Sequence, residues 1–170
     1  MNPILSAGLL IGVLCGIWTF VMGFTGLYKD PVMLNAFFLV IPIEIGGLIW
    51  GLRKTAALGR NYRAQILAGT MMAIVAGVII MCSSLLFTTL VFPAYFADLE
   101  QTYRTILQQQ GKSEADITAA IQANAASSTP MAQAINGFIG TLVTGIVASA
   151  VIAVFVRAKP PVTAGAQQAR

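Results

Sequence analysis

Histidine is absent from the 170 residues, and with it the commonest general base and the commonest metal ligand. Cysteine occurs twice, as Cys15 and Cys82, far apart and inside apolar runs. No CxxC or Cys/His spacing offers a disulfide or a metal pair, so both read as small buried hydrophobes. Charge is scarce: 9% of residues are Asp, Glu, Lys or Arg. Hydrolytic or transfer chemistry needs a convergent set of paired carboxylates, a nucleophile with its base, or metal ligands, and the sequence displays none. Glycines are plentiful, but they sit inside apolar stretches rather than between a strand and a helix, which leaves no loop to cradle a phosphate. These absences argue against an enzyme and supply no catalytic, cofactor-binding or metal-ligating residue.

What is present in excess is hydrophobicity. More than half the residues are apolar and the mean hydropathy is +0.80, a balance suited to a chain whose solvent is lipid. The net charge of +4 does not indicate nucleic acid, because the basic residues stand at the ends of apolar stretches and not on an aromatic-interleaved patch. Four stretches are long enough to cross the hydrocarbon core, which needs about 20 helical residues. They run from about Ile4 to Tyr28, Val32 to Leu52, Ile66 to Phe92 and Met131 to Val156. Asn2-Pro3, Asp30-Pro31 and Thr129-Pro130 each place a capping side chain before a proline whose missing N–H costs nothing at the first helical position, and Asn61 is the candidate cap for the third span. The N-terminal MNPILSAGLLIGVLCG lacks the basic region of a signal peptide and has Leu14 before Cys15, where lipoprotein cleavage wants a small residue, so the first helix is expected to stay.

Charge asymmetry orients the spans. RKTAALGRNYR, between the second and third, carries Arg53, Lys54, Arg60 and Arg63 with no acid, and the tail 157–170 adds Arg157, Lys159 and Arg170. Both are expected in the cytoplasm, giving a cytoplasmic N-terminus and C-terminus. Residues 93–129, where Asp98, Glu100, Glu114 and Asp116 outnumber Arg104 and Lys112, fall on the other side. There Leu99, Tyr103, Ile106, Leu107 and Gln110 recur at helical spacing, Gly111 is placed to stop the helix, and Ser113 with Asp116 starts a second one bearing Ile117, Ala120 and Ile121. The segment reads as an extracytoplasmic helical hairpin whose apolar edge, Leu99, Tyr103, Ile106 and Ile117, needs a cover. The tail, rich in Pro, Ala, Gln and Gly, reads as disordered.

Small residues mark the helix-packing faces: Gly8, Gly12 and Gly16 in the first span, Gly47 and Gly51 in the second, Gly69, Ala73 and Gly77 in the third, Gly137 and Gly145 in the last. Four helices must pack in any case, so these faces are assigned within the chain first, with a homodimer as the other use. Ser83, Ser84, Thr88 and Thr89 are expected to bond back to helix carbonyls or across to a neighbour. One acid, Glu44, stands inside a span. Gly47 and Gly51 share its helix face, which turns it toward the bundle and not toward lipid. Pro42 should kink the helix just before it. Burial disfavours a carboxylate, and no Lys or Arg lies within a span to offset that, which makes Glu44 the candidate intramembrane proton or ion site.

The stretches GLRKTAALGRNYRAQILAGTMMAIVAG, LQQQGKSEADITAAI and TPMAQAINGFIGTLVTGIVASAVIAVFVRAK together resemble a bacterial family of small four-pass membrane proteins known as a domain of unknown function. The resemblance implies an all-α integral membrane four-helix bundle in the bacterial cytoplasmic (inner) membrane, and no activity. From the sequence, the expected function is that of a non-enzymatic accessory or scaffold protein acting through contacts, with the lipid bilayer as its surroundings, a protein partner at the hairpin, and no cofactor. The alternative is a small proton- or cation-coupled transporter or channel subunit using Glu44.

Overall fold

The computed structural model describes residues 2–156. Tail 157–170, read as disordered, lies outside them. The described chain is all-α, and four of its helical segments are long and apolar enough to cross a membrane: Pro3–Phe24, Met33–Ala56, Tyr62–Val91 and Pro130–Phe155. It is a multi-pass membrane protein.

Three of the four spanning helices start at the cap the sequence offers. Helix α1, Pro3–Phe24, begins where Asn2 Oδ1 accepts from Ile4 N at 3.0 Å. Helix α3, Tyr62–Leu86, begins where Asn61 Oδ1 accepts from Ala64 N at 3.0 Å. Helix α6, Pro130–Phe155, begins where Thr129 Oγ1 accepts from Ala132 N at 3.2 Å. Asp30 also caps, accepting from the amides of Val32 and Met33, but the backbone that follows is the tighter 3₁₀ form over Met33–Leu39. The α form starts only with α2, Val40–Ala56.

Three sequence expectations are altered here. The first helix ends at Phe24 and not at Tyr28, because Gly26 takes the left-handed conformation (φ 71°) and sends Tyr28 back against the bundle. Pro42 does not interrupt an established helix. It falls in the first turn of α2, where its missing N–H has no intrahelical partner to lose, and the change of backbone geometry lies upstream, at the 3₁₀-to-α junction. Arg53 and Lys54 belong to the last turn of α2, and Lys54 lies over the Trp50 ring at 3.8 Å.

Between α3 and α6 stand two shorter helices, α4 (Tyr95–Gln109) and α5 (Glu114–Asn124). Gly111 at φ 73° turns the chain between them, with Gly111 N donating to Gln108 O and Lys112 N to Leu107 O, the paired bonds that close a helix end. Ser113 caps α5 by accepting from Asp116 N.

Helix α3 is central, packed against α1 and α6, while α2 packs against α1 and α6 from another side. Close approach depends on glycine. A Cβ on Gly12 would meet Ile79 Cβ at 2.8 Å and the backbone oxygen of Ala76 at 3.0 Å, and one on Gly8 would meet Val75 Cβ at 2.6 Å. Gly16 faces Ser83, Gly47 faces Ile11, Gly51 faces Ala7 and Met72, Gly137 faces Ile80 and Gly145 faces Ala73. All seven therefore meet residues of this chain. The outward faces of the spans are apolar, as with Val13, Ile17, Val143 and Val147, which is the distribution lipid requires.

Two cores lie at opposite ends. One joins Ala7, Ile11, Leu48, Leu52, Ala68 and Met72 and reaches Ile4 and Val156, so the start of α1, the end of α2 and the end of α6 share one face of the bundle with loop 57–61. The other is aromatic, built on Tyr28, Phe87 and Tyr95, and lies under α4. Of the hairpin's apolar edge, Ile117 is buried and Leu99 and Ile106 are half-buried, but Tyr103 is left 48% exposed.

Candidate functional site

Glu44 sits at the contact of α2 with α6. Its side chain is buried, and Oε1 has no hydrogen-bond partner among the described residues. Across from it is Gly145: a Cβ there would come 3.3 Å from Glu44 Oε1 and press on Ala73, so the small residue leaves room for the carboxyl. Glycine at this position lets α6 approach α2 and α3 at once.

From Glu44 toward the aromatic core the bundle is not filled. A cavity of about 350 Å³ opens between α1, the 3₁₀ segment, α3 and α6. Its polar lining comes from all four spans: Thr19 of α1, Glu44 of α2, Ser83 and Ser84 of α3, and Gln133, Thr141 and Thr144 of α6. The cavity exists because the 3₁₀ backbone between Met33 and Leu39 is held against α1 and away from α6. Trp18 Nε1 donates to Ala36 O at 2.9 Å, and Cys15 Sγ lies 3.8 Å from Val40 O as a weak donor. Thr19 spends its hydroxyl proton on Cys15 O, leaving its oxygen lone pairs available.

The end of the cavity toward α4 is tied to the hairpin. Gln133 Nε2 donates to Tyr95 Oη at 3.3 Å, and Tyr95 packs on Tyr28 with ring centroids 5.1 Å apart. Tyr28 Oη donates to Asp98 Oδ2 at 2.7 Å, Lys29 Nζ pairs with the same oxygen at 2.9 Å, and Thr102 Oγ1 donates to Lys29 O. Asp98 is held below the usual carboxylate range by the Lys29 ammonium and then by the Tyr28 hydroxyl. Burial pushes the Tyr28 phenol up, with Asp98 adding to it, and burial also raises Tyr95.

At the opposite end, Gln65 is fully buried and joins three helix ends. Its Nε2 donates to Leu52 O and to Val156 O, both at 3.1 Å, and its Oε1 accepts from Thr55 Oγ1 at 2.5 Å.

The cavity gathers what the sequence singled out only in part. Ser83 and Ser84 do not bond back to the helix and line the cavity, whereas Thr88 and Thr89 do bond back, to Ser84 O and Leu85 O. Cys15 is buried in the wall, but Cys82 is exposed on the lipid-facing side, so the two cysteines do not share one role. Thr19 and Thr141 continue the small-residue faces of the first and last spans, which marks them for helix packing and not for a cavity, and Thr144 and Gln133 carried no sequence signal beyond being polar residues in apolar spans. Gln65 was hidden by its polar neighbours Asn61, the cap of α3, and Arg63 in the first turn of that helix.

A family model described as "Protein of unknown function (DUF4199)" matches residues 6–158. No curated protein and no solved structure matches the chain.

Proposed function

Since the chain belongs to the DUF4199 family of proteins of unknown function, membership names no activity, and we propose that Glu44 is the working group of a non-enzymatic membrane protein that takes a proton or a small cation in mid-membrane. The observation that carries this is a buried carboxyl in the wall of a polar cavity, its Oε1 turned toward Gly145 with no donor among the described residues. A buried carboxyl oxygen without a protein donor is costly, and a proton, a water or a cation can supply what the chain does not. Hydroxyl oxygens of Thr19, Thr141 and Thr144 supply further acceptors for N–H groups or a hydrated ion. Among the described residues no basic side chain lines the cavity, which disfavours anions. In this reading the protein is a small transporter or channel subunit of the bacterial inner membrane. The RKTAALGRNYR loop and both termini face the cytoplasm, and the α4–α5 hairpin faces outward, following the positive-inside rule.

Proteoliposomes enclosing a pH-sensitive dye test it. Wild type should dissipate an imposed proton gradient faster than Glu44→Gln, which should match empty liposomes. Equal rates for the two proteins contradict the reading.

A second reading, an accessory protein acting through contacts, is supported by one observation: a largely apolar groove of about 660 Å³ between α4 and α5, with Tyr103 exposed on its wall. A stoichiometric partner that co-purifies in mild detergent and is lost on Tyr103→Ala would favour it.

A further inference from the structure

The route into the cavity is sideways. Along the bundle axis it is closed at both ends: the aromatic core of Tyr28, Phe87 and Tyr95 lies on the hairpin side, and Ile11, Leu48 and Met72 fill the bundle on the other. The wall between the 3₁₀ segment and α6 is different. Phe38, Ile41 and Gly140 all line the cavity, yet Phe38 is 66% exposed and Ile41 39% exposed. Gly140 is exposed too, and a Cβ there would meet no atom within 4 Å. These three residues face lipid and cavity at once.

Depth sets what passes that opening. Gly140 lies roughly 15 Å along α6 from Pro130, at 1.5 Å per residue. Ile41 lies at a similar distance from Met33, given a rise of about 2 Å per residue in the 3₁₀ segment. Both are inside a hydrocarbon core about 30 Å thick, well below the headgroups. The mouth therefore opens into acyl chains and not into water.

We infer that the Glu44 cavity is loaded laterally from the leaflet on the hairpin side by a membrane-dissolved amphiphile bearing a protonated amine. The inference rests on the Glu44 reading above and adds the class of ligand and its route. An ammonium head carries three N–H donors, which suit the Glu44 carboxylate together with the hydroxyl oxygens of Thr141 and Thr144, while the apolar body lies between Phe38 and Ile41 in the mouth. Any ammonium loses hydration on the way to the mouth, but the apolar chain of an amphiphile offsets part of that cost, which a small water-soluble cation cannot do.

Binding of dodecylammonium to the protein in phosphatidylcholine nanodiscs, measured against empty nanodiscs, provides the test. Wild type should bind above the empty-disc level, and Glu44→Gln about tenfold or more weakly, as expected from losing a charge-assisted hydrogen bond. A Cβ at Gly140 meets no atom of the described residues within 4 Å, so Gly140→Leu adds bulk at the mouth with room at its root; it should keep wild-type thermal stability and yet lose dodecylammonium binding to a similar degree. Val147→Leu, on the lipid face away from the mouth, should bind as wild type. Methylammonium, which stays in water, should not displace the probe. Wild-type binding by Gly140→Leu, or displacement by methylammonium, overturns the lateral route while leaving Glu44 as the site. Binding unaffected by Glu44→Gln refutes the site itself. Absence of binding by wild type overturns the ligand class, and the proton-gradient assay then judges Glu44 on its own.

Discussion

Gln65→Met is the substitution whose cost is most directly worked from the structure. Methionine has a similar volume and suits an apolar position, so packing is largely kept and the change reads out hydrogen bonds. Three are lost: the donations to Leu52 O and Val156 O, and the bond accepted from Thr55. Side-chain hydrogen bonds between membrane helices average about 0.6 kcal/mol with a maximum near 1.7. Three of them give about 2 kcal/mol. The Thr55 hydroxyl proton, freed from Gln65, can turn to Leu52 O 3.0 Å away, which softens the loss there, whereas the Val156 oxygen at the end of α6 forfeits this donor. The cost should therefore concentrate on the anchorage of α6. Equilibrium unfolding in mixed detergent micelles should show Gln65→Met less stable by about 2 kcal/mol. The double variant with Thr55→Val should lose less than the sum of the singles, because both remove the same bond. A Gln65→Met protein within about 0.3 kcal/mol of wild type, or strict additivity with Thr55→Val, would refute the clamp.

Gly51 and Gly46 make a matched pair on one helix: a Cβ at Gly51 meets Ala7 Cβ at 2.6 Å and Met72 Sδ at 2.7 Å, while one at Gly46 meets nothing. Gly51→Ala should destabilise by about 1–3 kcal/mol through overpacking, and Gly46→Ala should be neutral or stabilising by up to about 1 kcal/mol, both measured by the same unfolding assay. Asp98, whose folded pKa is depressed, contributes stability above the ordinary carboxylate value of about 4, and that contribution is lost as pH falls through the folded value. Amide exchange in 95–109 should accordingly rise on acidification below that range, and Asp98→Asn should show faster exchange at neutral pH with no further acid response. In a background lacking Cys15 and Cys82, a cysteine at position 110 should react with an impermeant maleimide from outside intact cells and one at position 57 should not. The reverse pattern would invert the topology.

Local signals made the scaffold legible. Asn2, Asp30, Asn61 and Thr129 all cap where the sequence places them, because capping depends on a side chain and amides two or three residues away. The hairpin could be read for the same reason: Gly111 and Ser113 act on their own neighbours. Glu44 was legible as an acid on a glycine-bearing face, but its surroundings were not. Thr19, Ser83 and Thr141 come from three different helices, and only packing brings them to one cavity. Tyr28 and Asp98 are 70 residues apart, and neither carries a mark of the other. The 3₁₀ segment escaped notice since Met33–Leu39 is as apolar as any α-helical run. Its geometry follows from contacts such as Trp18 to Ala36, which hydrophobic periodicity does not report.

The central claim is that Glu44 is a carboxyl reachable from the membrane and occupied by a cation. A lipid-soluble carbodiimide, which adds to a carboxyl group to form a stable acylurea, tests both halves in one measurement read by peptide mass. The account predicts modification of the peptide containing Glu44 in wild type, none in Glu44→Gln, and protection by dodecylammonium. An unmodified Glu44 peptide, or modification undiminished by dodecylammonium, would contradict it.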